Sequence, residues 1–243
     1  MRMKLKNTFA AIDPFGMMLS LSAPVLGILL AVADYHVAWT TSSALVATVV
    51  MLHIYMSSGN RIALAASIVG ALLTVWFSFG SVISLESLLL LLFAYFVIRL
   101  ARGTGKSAGI VDGVITCFLN GPVALIGTYF VCSHSFGSWI LVFPALSVGL
   151  LCLAVSGLGK GYAKFFVSAL IVLALVLLSV YSFMRFYDPA HFIYAVMIPV
   201  FLLLIVKMHL DRGQSYNIFR QAFSVCVIAV SLLAGIGFVA YIF

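Results

Sequence analysis

The sequence predicts an all-α integral membrane protein, a bundle of nine transmembrane helices with a cytoplasmic N-terminus and a C-terminus outside. Composition, the spacing of apolar runs and the placement of charge predict it. Of 243 residues, 65% belong to the AVILMFWYC set and 8% are charged, and mean hydropathy is +1.26. A soluble domain is nearer half apolar and a quarter charged. That composition excludes secreted disulfide scaffolds, nucleic-acid modules and disordered tails. Nine crossings of about 20 residues would use roughly 180 residues, so residues 1–243 read as a single transmembrane domain with short connections.

Apolar runs cut at charges and at Gly, Pro and Ser clusters place the spans near 17–33, 39–58, 62–80, 82–98, 109–132, 138–156, 163–183, 191–208 and 217–241. The first runs from Met17 to Ala33 and stops at Asp34. No small-residue cleavage site precedes that charge, so the run reads as a span rather than a cleaved leader. Only Ser81 separates 62–80 from 82–98, and together they far exceed the ~20 residues of one crossing. In lipid, each segment must satisfy its own backbone, which forces helices. Pro24, Pro122, Pro144 and Pro199 are then expected to mark kinks. Gly121, Gly127, Gly149, Gly235 and Gly237 are expected to permit close helix approach.

Charge tests the count independently. With the N-terminus inside, Arg2, Lys4 and Lys6 face the cytoplasm, as do Arg61, then Arg99, Arg102 and Lys106, then Lys160 and Lys164, then Lys207, Arg212 and Arg220. That is twelve of the 13 Lys and Arg residues, with Arg185 alone outside. The net charge of +7 therefore speaks to topology in a cytoplasmic membrane rather than to nucleic acid. Cys117, Cys132, Cys152 and Cys226 lie in or beside apolar runs with no C-x-x-C pair, and read as reduced, buried thiols.

From Asn120 to Val155 the chain reads Asn-Gly-Pro-Val-Ala-Leu-Ile-Gly-Thr-Tyr-Phe-Val, a short polar turn with Ser138-Trp139, and an apolar run ending Gly-Leu-Leu-Cys-Leu-Ala-Val. This resembles the middle of the UbiA superfamily of intramembrane prenyltransferases, and within it the 1,4-dihydroxy-2-naphthoate polyprenyltransferases of menaquinone synthesis. Ser22-Ala23-Pro24-Val25-Leu26-Gly27 is similar to the family's entry into its first helix. Pro199-Val200-Phe201-Leu202-Leu203 and Leu232-Leu233-Ala234-Gly235-Ile236-Gly237 are similar to its ending. The resemblance implies a nine-helix bundle and transfer of polyprenyl groups from a diphosphate held by Mg²⁺. Hard Mg²⁺ takes carboxylate oxygens. The family supplies them as two clusters resembling Asn-x-x-x-Asp-x-x-x-Asp, whose spacing puts both acids on one helix face.

This chain departs from that pattern at both places. Its acids are Asp13, Asp34, Glu86, Asp112, Asp188 and Asp211, no two within twenty residues of each other. Leu52 to Asn60 resembles the helix that leads into the first motif, but Arg61 follows where an Asp is expected. Val155 runs straight into Ser156-Gly157-Leu158-Gly159-Lys160-Gly161, without the second motif. The expectation is a divergent, non-catalytic prenyltransferase homologue that needs no metal or cofactor. It would bind a polyprenyl lipid or quinone in an intramembrane cavity. The alternatives are a non-catalytic membrane subunit docking another membrane protein, and an active polyprenyltransferase on an acceptor such as 1,4-dihydroxy-2-naphthoate. A small transporter fits less well, because no span carries paired acids.

The candidates for a diphosphate or an anionic lipid headgroup are Asn60, Arg61, Arg102, Lys106, Lys160 and Lys164, all assigned to the inner face. The plainer reading is that these cations set topology and snorkel to headgroups. Asp112, near the inner entrance of the fifth span, and His53, on the second span, are candidates for a polar site. Asp112 fits an ion pair with Arg102 or Lys106 equally well, and His53 fits an interhelical hydrogen bond. Glu86 is an ionisable group inside a run. Arg185, Tyr187 and His191 read as outer-interface anchors. Gly157-Leu158-Gly159-Lys160-Gly161 lacks the phosphate-loop pattern and a preceding strand, so it reads as a turn.

Overall fold

The computed structural model describes residues 13–78, 110–159, 161–185, 189–211 and 216–239. Helix accounts for 91% of these residues, with no strand among them. The helices are α1 (Pro14–Asp34), α2 (Trp39–Ser58), α3 (Arg61–Phe77), α4 (Ile110–Phe118), α5 (Ala124–Ser133), α6 (Val142–Gly159), α7 (Lys164–Arg185), α8 (Met197–Leu210) and α9 (Tyr216–Val239). A π turn, Leu119–Val123, joins α4 to α5 in one rod, and 3₁₀ turns at Trp139–Leu141 and Pro189–Val196 lead into α6 and α8.

Among the described residues, seven segments are long and apolar enough to cross a bilayer: Pro14–Asp34, Trp39–Ser58, Ile115–Ser133, Trp139–Leu158, Lys164–Arg185, Phe192–Leu210 and Tyr216–Val239. The apolar helix α3 is shorter, at 17 residues. The expected span 82–98 lies outside the described residues, as do Glu86, Tyr187, Asp188 and the side chain of His191.

Local chemistry sets the helix ends. Asp13 caps α1, accepting from the Gly16 N–H at 3.1 Å, and Pro14 follows at the first helical position. Asn60 caps α3 through the Ile62 N–H at 3.0 Å. α2 closes on Gly59 at φ 66°. α6 closes with paired bonds, Tyr162 N–H to the Gly157 carbonyl at 3.0 Å and Gly161 N–H to Leu158 at 3.3 Å, with Gly161 at φ 76°. This is the Schellman arrangement, so the glycine-rich stretch is a helix cap.

Two of the four prolines do not lie where kinks were expected. Pro24 is inside α1 and Pro122 inside the π turn, where the wider turn accommodates a residue without an N–H. Pro144 and Pro199 stand in the first turns of α6 and α8, each just after a 3₁₀ turn. A missing donor costs little at a helix start.

Glycine marks the tightest crossings. A Cβ on Gly121 would lie 2.4 Å from the Ala145 carbonyl, and one on Gly149 would lie 2.4 Å from that of Cys117. The α4–α5 rod and α6 therefore meet backbone to backbone. Gly27 similarly abuts the Leu125 carbonyl of α5, and Gly235 of α9 abuts Leu29 of α1. Gly127 is a correction, since a Cβ there would meet nothing within 4 Å. The core joins α1, α5, α6, α7 and α9 around Leu26, Leu125, Leu151, Ile171, Tyr181 and Phe223. α3 and α8 instead expose apolar side chains such as Leu72, Trp76, Leu203 and Leu210, a surface suited to lipid.

Gly149→Leu is expected to destabilise the bundle by about 2 kcal/mol or more, because the added atoms strike backbone. Gly127→Ala should be neutral or stabilising by up to about 1 kcal/mol. Thermal unfolding of the two variants in detergent checks the contrast.

Candidate functional site

The charged side chains of the described helices gather at the two ends of the bundle. At the first end, the Asp13 carboxylate pairs with Arg220 of α9. His53 of α2 bridges the same corner, its Nε2 lying 3.2 Å from the Asp13 carbonyl and its Nδ1 3.2 Å from Ser20 Oγ. Burial works to raise the Asp13 carboxyl. The Gly16 N–H and the Arg220 guanidinium outweigh it, with His53 adding to them, and hold the group below its ordinary value. Lys164 starts α7 at this end and donates from Nζ to the Asp211 carbonyl at 2.6 Å, closing α7 against the exit of α8. Ser168 and His209 meet across the same pair of helices at 3.1 Å.

At the opposite end, about 30 Å along α1 at 1.5 Å per residue, Asp34 pairs with Arg185, the last residue of α7. Tyr129 of α5 donates to the other Asp34 oxygen at 2.6 Å. Arg185 also donates to the Tyr181 hydroxyl at 2.6 Å. Tyr129 and Tyr181 are almost wholly buried, so this network carries polar atoms from the rim into an apolar core, where each finds a partner. Beside it opens a half-open cavity of about 520 Å³ lined by Val32, Ala33, Asp34, Tyr35, His36, Val37 and Trp39.

Of the six anion-binding candidates, Asn60, Arg61 and Lys164 lie among the described residues. Asn60 serves as the cap of α3, and Arg61 is exposed at the first position of that helix. Lys164 is engaged with Asp211 and His53 with Asp13 and Ser20. Arg102, Lys106 and Lys160 lie outside the described residues, as does the side chain of Asp112, whose backbone belongs to α4. Among the described residues, no three His, Cys, Asp or Glu side chains group as metal ligands. All four cysteines are buried and none is in a disulfide.

Sequence reasoning missed both ion pairs; it expected an intramembrane cavity but named none of the residues that line this one. The signal was faint: Asp13 and Asp34 bracket the first span, and Arg185 is the one cation outside the expected inner set. The helices define a multi-pass membrane protein of the all-helical class. Comparison with known proteins goes no further, since no family model, curated protein or solved structure matches the chain.

Two outcomes follow from the end networks. Asp13 is held below the ~3.9 of a free aspartate, so its pairing contributes full stability above that value. The contribution is lost as pH falls through the lower folded-state value. Wild-type protein should therefore lose thermal stability on acidification more steeply than Asp13→Asn, measured as midpoint against pH in detergent. Arg185→Ala leaves the Asp34 carboxylate and the Tyr181 hydroxyl short of a donor and should cost about 1–3 kcal/mol. Arg61→Ala, at an exposed position, should stay within about 0.5 kcal/mol. Parallel unfolding curves compare the two.

Proposed function

We propose that the protein is a nine-span, non-catalytic relative of the UbiA-type prenyltransferases of menaquinone synthesis, and that it binds a polyprenyl lipid or quinone in the cytoplasmic membrane. The observation that carries the binding function is the half-open cavity of about 520 Å³ at one end of an apolar bundle. It falls within the roughly 300–1,000 Å³ of small-molecule sites.

The proposed topology puts the Asp13 end inside and the C-terminus outside. In its support, α3 ends near α5's exit, where Ser78 bonds the Val131 carbonyl, whereas Gly113 near the start of α4 approaches Tyr162 at the other end. The proposed count of nine agrees with the exit of α3 and the start of α4 lying at opposite ends of the bundle. Arg61, Lys164, Lys207 and Arg220 begin or finish their helices at the Asp13 end, while Arg185 alone of the described Lys and Arg residues lies at the other. This asymmetry supports the proposed cytoplasmic face.

The non-catalytic reading rests on the acids. Asp13 and Asp34 occupy opposite ends of one helix, each engaged by an arginine. Such residues do not fit a shared divalent ion holding a diphosphate.

Mass spectrometry of lipid co-extracted with the purified protein should show isoprenoid lipid or quinone enriched over the bulk membrane. The same preparation, given dihydroxynaphthoate, a polyprenyl diphosphate and Mg²⁺, should form no product above empty membranes. Product above that background overturns the non-catalytic reading. A stoichiometric membrane-protein partner without lipid enrichment favours the subunit alternative.

A further inference from the structure

We propose that the cavity at the Asp34 end receives a neutral, flat headgroup bearing hydroxyl donors on an apolar tail, of the phenol or hydroquinone kind. This rests on the amphiphile-binding reading above and adds the place and the headgroup chemistry. It puts the ligand at the end of the bundle opposite Arg61 and Lys164.

Charge decides the class of headgroup. Among the described residues lining the cavity, Asp34 is the one carboxylate and it is paired with Arg185, so it offers little net attraction to a cation. An anion approaching Arg185 would meet the Asp34 carboxylate first. A neutral group avoids both penalties.

Hydrogen bonding decides its polarity. Each Asp34 oxygen holds one described bond, from Arg185 and from Tyr129, whereas a carboxylate accepts about four. The side chain is 20% exposed and lines the cavity, so it offers acceptor places to a hydroxyl donor. Shape decides the ring. Tyr35 and Trp39, 46% and 66% exposed, line the same cavity and present aromatic surface on which a flat ring stacks. Aromatic residues at a span end commonly anchor the interface. That role requires neither a cavity nor a carboxylate backed by a buried tyrosine. A head seated at the end of α1 leaves its tail to the apolar surface of the bundle, where lipid receives it.

A quinone has carbonyl acceptors and no hydroxyl donor, so the two redox forms of one ligand separate this hydrogen bond from simple stacking. Full-length protein in nanodiscs is titrated calorimetrically under anaerobic conditions with 1,4-naphthohydroquinone bearing one prenyl unit, and then with the matching naphthoquinone. The hydroquinone should bind about tenfold more tightly, as a hydrogen bond to a charged acceptor implies. Trp39→Ala should weaken both forms about fivefold through lost stacking. Asp34→Asn should narrow the preference for the reduced form. If Asp34→Asn does not fold, Trp39→Ala and the redox preference in wild type carry the test.

Equal affinity for the two forms, or unchanged affinity in Trp39→Ala, overturns the assignment. Isoprenoid enrichment that survives Trp39→Ala in the co-extracted lipid overturns this site while leaving amphiphile binding in place. Wild-type protein that binds neither form and retains no isoprenoid removes both.

Discussion

Lipid offers no water to a buried polar group, and every feature described here answers to that constraint. Helix α1 shows it at both ends. Its two aspartates meet arginines from α9 and α7, so the two charged rims of this helix are satisfied within the bundle. Ionic pairs removed from water are not automatically stabilising. Their value here lies in geometry, because they fix which end of α9 and which end of α7 lie against α1. The same constraint governs smaller groups. Ser43, Thr48, Ser57 and Thr74 return their hydroxyls to carbonyls four residues back, and Ser147 reaches across to the Ala174 carbonyl of α7 at 2.7 Å. Among the described residues, only Ser231 Oγ is buried without a partner.

The helices were legible because their signal is local. A run of apolar residues ended by Asp34 or Gly59 is a helix whatever packs on it, and the structure moves the ends only slightly. α1 begins three residues before the expected 17 because Asp13 caps it. Facing was not legible. Gly127 and Gly149 look alike in sequence, yet one looks into open space and the other onto the Cys117 carbonyl, a difference set by how each helix is rotated. Pro144 and Pro199 likewise looked interior until the preceding 3₁₀ turns made them starts.

The candidate site was less legible still, for a reason of distance along the chain. Asp13 and Arg220 are 207 residues apart, and Asp34 and Arg185 are 151. No periodicity links partners so remote. A positional rule found the cations, but it could not reveal that Asn60 caps a helix or that Lys164 closes α7 against α8. Both side chains have local tasks that composition alone does not expose.

These local tasks bear on where a ligand belongs. A diphosphate requires several cations free to converge on it, together with carboxylates that share a metal. At the Asp13 end, two of the four described cations have separate tasks, Arg220 on Asp13 and Lys164 on Asp211. At the Asp34 end the arrangement is different in kind: one neutralised carboxylate, two buried tyrosines behind it and a cavity with exposed aromatic rings in front. The proposed site would discriminate through one hydrogen bond and one stacking surface, with no leaving group to stabilise. On the proposed reading, a chain that has lost the family's carboxylate pairs retains the part of the task that demands only shape and a single acceptor, which is holding a lipid's head at the membrane surface.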